Sequence, residues 1–312
     1  MATFVMPWVL ALAVGSVAGI PAPAVFGTPA QLQDSLKSVI ERRTANVNGA
    51  VVGVAFRDLQ TGDTLFSNAD DSFHAASTMK VPVMIELFRR VDAGALRLDQ
   101  GILLVNQFGS IVDHSAYGLD AADDSDSSAY ALVGRRVPVR DLIDRMITRS
   151  SNLATNALIE LVGADRANAT AHELGARSIR VLRGVEDNKA FRAGLNNTTT
   201  ARDLAVLLEA IETGRAASRP SCDAMRDILL RQEFSAEIPA GLPPGTKVAH
   251  KTGWITGVLH DAAIVYPANR KPYVLVVLTR GIQDEKVARQ LIVDISRLVY
   301  THTAANGIAS AR

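Results

Sequence analysis

Ser77-Thr78-Met79-Lys80 opens a helical pattern in which Met79, Val83, Ile85, Leu87, Phe88 and Val91 are apolar and Gly94 is the stop. Ser77 then falls in the first turn, with Lys80 three residues on and on the same helix face. Backbone N–H groups at a helix start are unpaired, and the dipole there favours negative charge. A serine hydroxyl is nearly inert at neutral pH and needs an adjacent base. Lysine is a weak base at its ordinary pKa, but burial or a second cation disfavours the ammonium and lowers that value. Ser-x-x-Lys alone is a weak signal, since about one match arises by chance in a chain this long.

Two later segments answer the first. Ser150-Ser151-Asn152 separates the apolar face of Val139, Leu142, Ile143, Met146 and Ile147 from that of Leu153, Ala154, Ala157, Leu158 and Leu161. It reads as a helix connection or helix start. Taken alone, Ser and Asn there are ordinary capping residues. In company, Ser150 can pass a proton and Asn152 can hold an amide through its donors and acceptor. Lys251-Thr252-Gly253 precedes the strand-like runs Ala262 to Val265 and Tyr273 to Leu278. A strand carrying it supplies a cation for a carboxylate, a hydroxyl donor and close backbone approach at glycine. The N–H of Trp254 would join that of Ser77 in stabilising an oxyanion. The ordered set points to serine acyl transfer on amides.

These motifs resemble those of the class A serine β-lactamases and their penicillin-recognising relatives, from about residue 30 to residue 300. The resemblance implies an α/β fold of the α+β type: an antiparallel sheet flanked by terminal helices, with an inserted all-helical lobe at about 78–220. It implies hydrolysis of β-lactam amide bonds through an acyl-enzyme. Ser77 would be the nucleophile, Lys80 a candidate base and Ser150 the shuttle, while Asn152, Lys251, Thr252, Gly253 and Trp254 would contact substrate. Glu186, in Arg183-Gly184-Val185-Glu186-Asp187, stands about where the family places its deacylating omega-loop glutamate. Asn196-Asn197-Thr198-Thr199-Thr200 resembles the family's loop closure, with Thr200 as the cap of the next helix. A D-alanyl-D-alanine carboxypeptidase or transpeptidase, or a sensor that keeps its adduct, would use the same acylation apparatus.

Departures from the family fall around deacylation. Ser151 replaces the usual aspartate, so another group must satisfy that carboxylate's donors. Ala190 stands where an asparagine usually shares the water, and Asn188, Asn196 and Asn197 are the nearby substitutes. Gly184 and Asn197 stand near the places of the usual arginine–aspartate bridge. Trp254 is bulky for its position. The interval between Ser77 and Ser150 is longer than the family's, with the excess around Asn106 to Arg136. Its acidic run, Asp120, Asp123, Asp124 and Asp126, lacks calcium-loop spacing and reads as a solvated surface loop, or else as a roof over the cleft.

The chain has 312 residues, 48% hydrophobic and 21% charged, enough for a sizeable core, and a net charge of +1 implies no nucleic-acid partner. No metal or cofactor is expected, because His172-Glu173 lacks a second histidine at metal-binding spacing. His250 and His260 are open to either a substrate or a structural role. Cys222 is the single cysteine and excludes an internal disulfide. Val5 to Ile20 is apolar and uncharged, and Ala22-Pro23-Ala24 resembles a cleavage site. Residues 1–24 therefore read as a signal peptide, despite an n-region without Lys or Arg; a retained anchor is the alternative. Residues 25–312 then form one catalytic domain. The expectation is a periplasmic or secreted monomer that meets a small β-lactam or peptidoglycan-like substrate and has no stable membrane association. Gln31 to Arg43 reads as the first helix, Ala50 to Phe56 and Asp63 to Phe66 as a first hairpin, Asp284 to Tyr300 as the closing helix, and Thr301 to Arg312 as a loose tail.

Overall fold

The computed structural model describes residues 1–2 and 29–309; the expected export segment lies outside them. Five antiparallel strands build the main sheet: β1 (Val51–Asp58), β2 (Thr64–Ser67), β3 (Lys247–Ile255), β4 (Val258–Tyr266) and β5 (Tyr273–Arg280). Their order is β2-β1-β5-β4-β3, so the amino-terminal hairpin joins the carboxy-terminal meander through β1 and β5, with Val54 opposite Val277. Lys251-Thr252-Gly253 therefore lies on an edge strand, with Lys251 opposite Ala262.

The central strands are covered on both faces, which is why they read as unbroken apolar runs. Strand alternation then sorts their side chains into two cores. Val54, Phe56, Ala263, Leu275 and Val277 pack with Leu36, Ile40, Leu291 and Ile295 of the terminal helices α1 (Pro29–Ala45) and α9 (Glu285–Ala309). Ala55, Ala262, Ile264, Val274 and Val276 pack on the opposite face against the helical lobe. The expected loose tail is corrected here: α9 runs on past Tyr300 to Ala309.

The lobe contains α2 (Lys80–Asp92), α3 (Val139–Thr148), α4 (Asn152–Val162), α5 (Ala164–Glu173), α6 (Asn188–Arg192), α7 (Ala201–Glu212) and α8 (Arg219–Leu230). Helix α2 is its axle, buried without a break from Lys80 to Phe88. Gly94 ends it in the left-handed region at φ 69°, where a Cβ would be strained. Thr200 caps α7 by accepting the Asp203 N–H at 3.0 Å.

The acidic stretch is solvated only in part, with Asp120 and Asp123 exposed. It forms a small hairpin, Phe108–Gly109 with Ala116–Tyr117, then a 3-10 turn at Ser127–Leu132. Asp124 and Asp126 are buried, at 6% and 4% exposure, because each finds backbone or cationic donors inside the protein.

Candidate active site

The cluster starts from a 3-10 turn, Ala76–Met79, that runs directly into α2. Ser77 thus precedes the α-helix proper, one turn earlier than the apolar periodicity suggests. The turn leaves Ser77 half-buried and puts Lys80 at the first α-helical position, fully buried. Lys80 Nζ lies 3.0 Å from Ser77 Oγ, 2.5 Å from the Ser150 carbonyl, 3.1 Å from Ser150 Oγ and 3.1 Å from Asn152 Oδ1. Burial, and secondarily Lys251, hold its pKa well below the usual lysine value; Asp124 and Glu186 oppose this.

Ser150 occupies the turn between α3 and α4 with φ 58°, a left-handed backbone that a non-glycine residue adopts only where its surroundings impose it. That conformation turns the Ser150 carbonyl and hydroxyl onto Lys80. On its other side Ser150 Oγ accepts from Lys251 Nζ at 3.1 Å. The hydroxyl therefore bridges two lysines. Lys251 is fully buried and also donates to the Thr252 carbonyl at 2.9 Å. Burial lowers its pKa to about 7 against the opposing pull of Asp261 and Glu237.

Gly253 is needed because β3 passes hard against the Ser77 turn. A Cβ there would lie 3.1 Å from Ser77 N and 3.2 Å from Ala76 Cβ. Thr252 is nearly buried, and Trp254, at 58% exposure, stands out at the sheet edge.

Glu186 has φ 61° and accepts from Asn152 Nδ2 at 2.7 Å. The Asn152 amide thus joins Glu186 to Lys80, its oxygen on one and its nitrogen on the other. Partial burial raises the Glu186 pKa, while the Asn152 hydrogen bond pulls it back. The loop neck closes where Arg180 and Thr198 exchange backbone hydrogen bonds at 2.9 Å, and where Thr198–Thr199 pairs with Phe73–His74 just before Ser77.

Among the described residues, none of the suggested asparagine substitutes hydrogen-bonds Glu186. Asn188 is exposed. Asn196 accepts from the Arg183 guanidinium at 3.0 Å, and Asn197 accepts from Leu182 N and Arg183 N at 2.8 and 3.2 Å. These two residues, with Arg183 donating to the Leu195 carbonyl, clasp the neck in place of the family's ion pair. Ala190 is buried, and its N–H donates to Asp187.

Several contributors were not legible in the sequence. Asp124 accepts from Asn152 N at 3.0 and 2.9 Å and from Leu153 N at 2.9 Å, so it supplies a carboxylate close to where Ser151 lacks one. Ser151 itself caps α4 through Ala154 N. Asn156 holds Val185 through both backbone groups, at 2.6 and 3.0 Å. His74 Nδ1 accepts from Ala76 N at 3.1 Å. The nearest sequence signal for Asp124 is the acidic run itself, whose partners lie far along the chain. The two histidines near Lys251 are structural. His250 is bonded to buried Asp261 at 3.0 Å, and His260 is fully buried against the His74 carbonyl at 2.8 Å.

The family profile described as the β-lactamase enzyme family matches residues 31–303. The β-lactamase AST-1 of Nocardia asteroides is 31% identical over 257 residues, covering 81% of this chain and 79% of its own length. A β-lactamase structure from Sphaerobacter thermophilus superposes with a TM-score of 0.71 at 30% identity, covering 87% of this chain and 98% of that one. The structure of PBP-A superposes with a TM-score of 0.74 at 28% identity, covering 89% and 97%. The chain belongs to the β-lactamase enzyme family, as a class A serine β-lactamase-like member.

Proposed function

We propose that this enzyme hydrolyses β-lactam amides through an acyl-enzyme on Ser77. The observation that carries the reading is the unbroken chain from Ser77 Oγ through Lys80 Nζ and Ser150 Oγ to Lys251 Nζ, each link about 3 Å. Neutral Lys80 takes the hydroxyl proton as Ser77 Oγ attacks the lactam carbonyl. The N–H groups of Ser77 and Trp254 receive the developing oxyanion. Ser150 relays a proton to the leaving nitrogen as the amide bond breaks. Lys251 and Thr252 hold the substrate carboxylate, and Asn152 its side-chain amide. Glu186 then removes a proton from water as the water oxygen attacks the ester carbonyl, and that proton returns from Glu186 to Ser77 Oγ as the ester C–O bond breaks. Export to the periplasm or medium, by an amino-terminal signal removed near Ala24, belongs to the same reading.

A second reading has one observation in its favour. Ala190 carries no group to share a water with Glu186, and Asn196 and Asn197 are committed to the loop neck. A slow deacylator of peptidase or sensor type would then share the acylation machinery. A chromogenic cephalosporin followed by absorbance and intact-mass spectrometry separates the two. Rapid turnover supports the hydrolase, whereas a persistent adduct without turnover supports the slow acyl-enzyme. Ser77→Ala is expected to abolish both turnover and adduct; survival of either removes Ser77 from the role of nucleophile. Glu186→Ala is expected to retain acylation while the adduct accumulates, and undiminished hydrolysis would overturn its assignment.

A further inference from the structure

We propose that the segment from Asn106 to Arg136 is a brace for the deacylation step, with Asp124 as its principal positioning residue. This rests on the acyl-enzyme reading above. Two parts of the segment grip the two elements that hold Glu186.

The inner grip is Asp124. Its carboxylate takes the N–H groups that open α4, from Asn152 and Leu153, and also the Tyr130 hydroxyl at 3.2 Å. Those bonds fix the backbone of the residue whose amide spans Lys80 and Glu186. Ser151 has no carboxylate for this purpose, and its hydroxyl is engaged one turn further on with Ala154 N. The negative charge at the head of α4 therefore comes from a different part of the chain.

The outer grip is the small hairpin. Ser110 Oγ and Ile111 N both donate to Asp187, each at 2.9 Å. Lys189 bonds Asp113 at 2.9 Å and Ser115 Oγ at 2.6 Å across the same junction. Tyr117 Oη donates to the Val185 carbonyl at 3.4 Å. Val185 and Asp187 flank Glu186, whose left-handed backbone needs such restraint to persist. Neither the usual water-sharing asparagine nor the arginine–aspartate bridge is present to do it.

The charge of Asp124 also acts on the chemistry. It raises the proton affinity of both Lys80 and Glu186. Glu186 works as the carboxylate, above its pKa. Removing the Asp124 charge lowers that pKa and moves the acid limb of deacylation to lower pH.

The test is pre-steady-state kinetics of wild type, Asp124→Asn and Asp124→Ala with a chromogenic cephalosporin. Acylation and deacylation are separated by quenched intact-mass spectrometry across pH, and folding is followed by thermal melts. The expected result is deacylation slowed by about tenfold to a hundredfold, as for a small misplacement of a reacting group. Acylation, and with it kcat/KM, stays within a few-fold, kcat and KM fall together, and the acid limb of deacylation moves to lower pH. Ser151→Asp added to Asp124→Ala is expected to restore part of the deacylation rate by returning a carboxylate to the head of α4. If the Asp124 variants do not fold, Ser110→Ala carries the test, because it removes one Asp187 bond and is expected to slow deacylation alone. Equal loss of both steps with an unmoved pH profile overturns the proposal, as does unchanged deacylation in Asp124→Ala or, where that protein is unfolded, in Ser110→Ala. Absence of any adduct on wild-type Ser77 instead defeats the acyl-enzyme reading on which the brace depends.

Discussion

Lys80 meets four oxygen acceptors within hydrogen-bonding range, yet an ammonium has only three donors. A neutral amine, with two N–H donors and one lone pair, could accept from the Ser77 hydroxyl and donate to two of the other three. Burial favours that state by lowering the lysine pKa. Lys251 has the opposite requirement, because it must be cationic to attract a carboxylate, and its pKa is about 7. Its charge is therefore present below about pH 7 and is lost as the pH rises past that value. In the proposed deacylation Glu186 must be ionised, so its raised pKa sets the acid side of that step and of kcat where deacylation limits it. The dependence of kcat/KM on pH, which reports binding and acylation, is expected to fall on the alkaline side from about 7 in the free enzyme. Steady-state kinetics across pH checks this, and a profile flat from neutrality to pH 9 would remove Lys251 from carboxylate recognition. The motif residues were legible as candidates for these proposed roles because each chemistry demands a particular side chain. Asp124 did not, because nothing in its local sequence distinguishes a buried cap from a solvated carboxylate.

Among the elements, β3 matters most. As an edge strand it has one side free for substrate and the other paired to β4. Its alternation sends Ala249 toward the lobe and Val248 toward the terminal helices. Lys251, two residues past Ala249, thereby reaches Ser150 between α3 and α4. The register also sets Gly253 against the Ser77 turn. In Gly253→Ala the added Cβ meets backbone at 3.1 Å, so strand and turn must separate by a few tenths of an ångström. Catalysis depends on placement at that scale, and kcat/KM is expected to fall by about tenfold to a hundredfold. Stability should fall by about 1–3 kcal/mol, as in other overpacked sites. Kinetics with urea denaturation checks both, and wild-type values in the variant would show that the turn yields freely. Strand and helix identities were legible from apolar periodicity. The 3-10 turn at Ser77 and the length of α9 were not, since helix ends depend on what packs against them.

At the level of the molecule, one sheet separates two cores and the candidate cluster sits where the lobe meets its edge. The core under the terminal helices contains one costly feature. Tyr273 is fully buried between Phe56 and the β5 neighbours, and its hydroxyl has no hydrogen-bond partner among the described residues. Removing a buried, unsatisfied hydroxyl relieves a desolvation penalty. Tyr273→Phe is expected to raise stability by about 1 kcal/mol, read as a higher urea midpoint with unchanged m-value, and to leave kcat alone. A loss of stability would mean that the hydroxyl is solvated or bonded. Tyr273 lies on the terminal-helix side of the sheet, away from the lobe that carries Ser150, so the variant also tests whether the two halves are energetically separable.

The order of Ser77, Lys80, Ser150, Asn152, Lys251, Thr252 and Gly253, and the chemistry proposed for them, were legible in one dimension, as was the class of fold. Acyl transfer requires those side chains, and apolar period distinguishes helix from strand. Tertiary structure alone decided that Ser150 bridges two lysines, that Asn152 links Lys80 to Glu186, that His250 serves Asp261, and that Asp124 stands in near Ser151. Each of these is a contact between segments far apart along the chain. Whether a polar side chain is buried with partners or bathed in water depends on what folds over it, which its own neighbours in sequence do not encode.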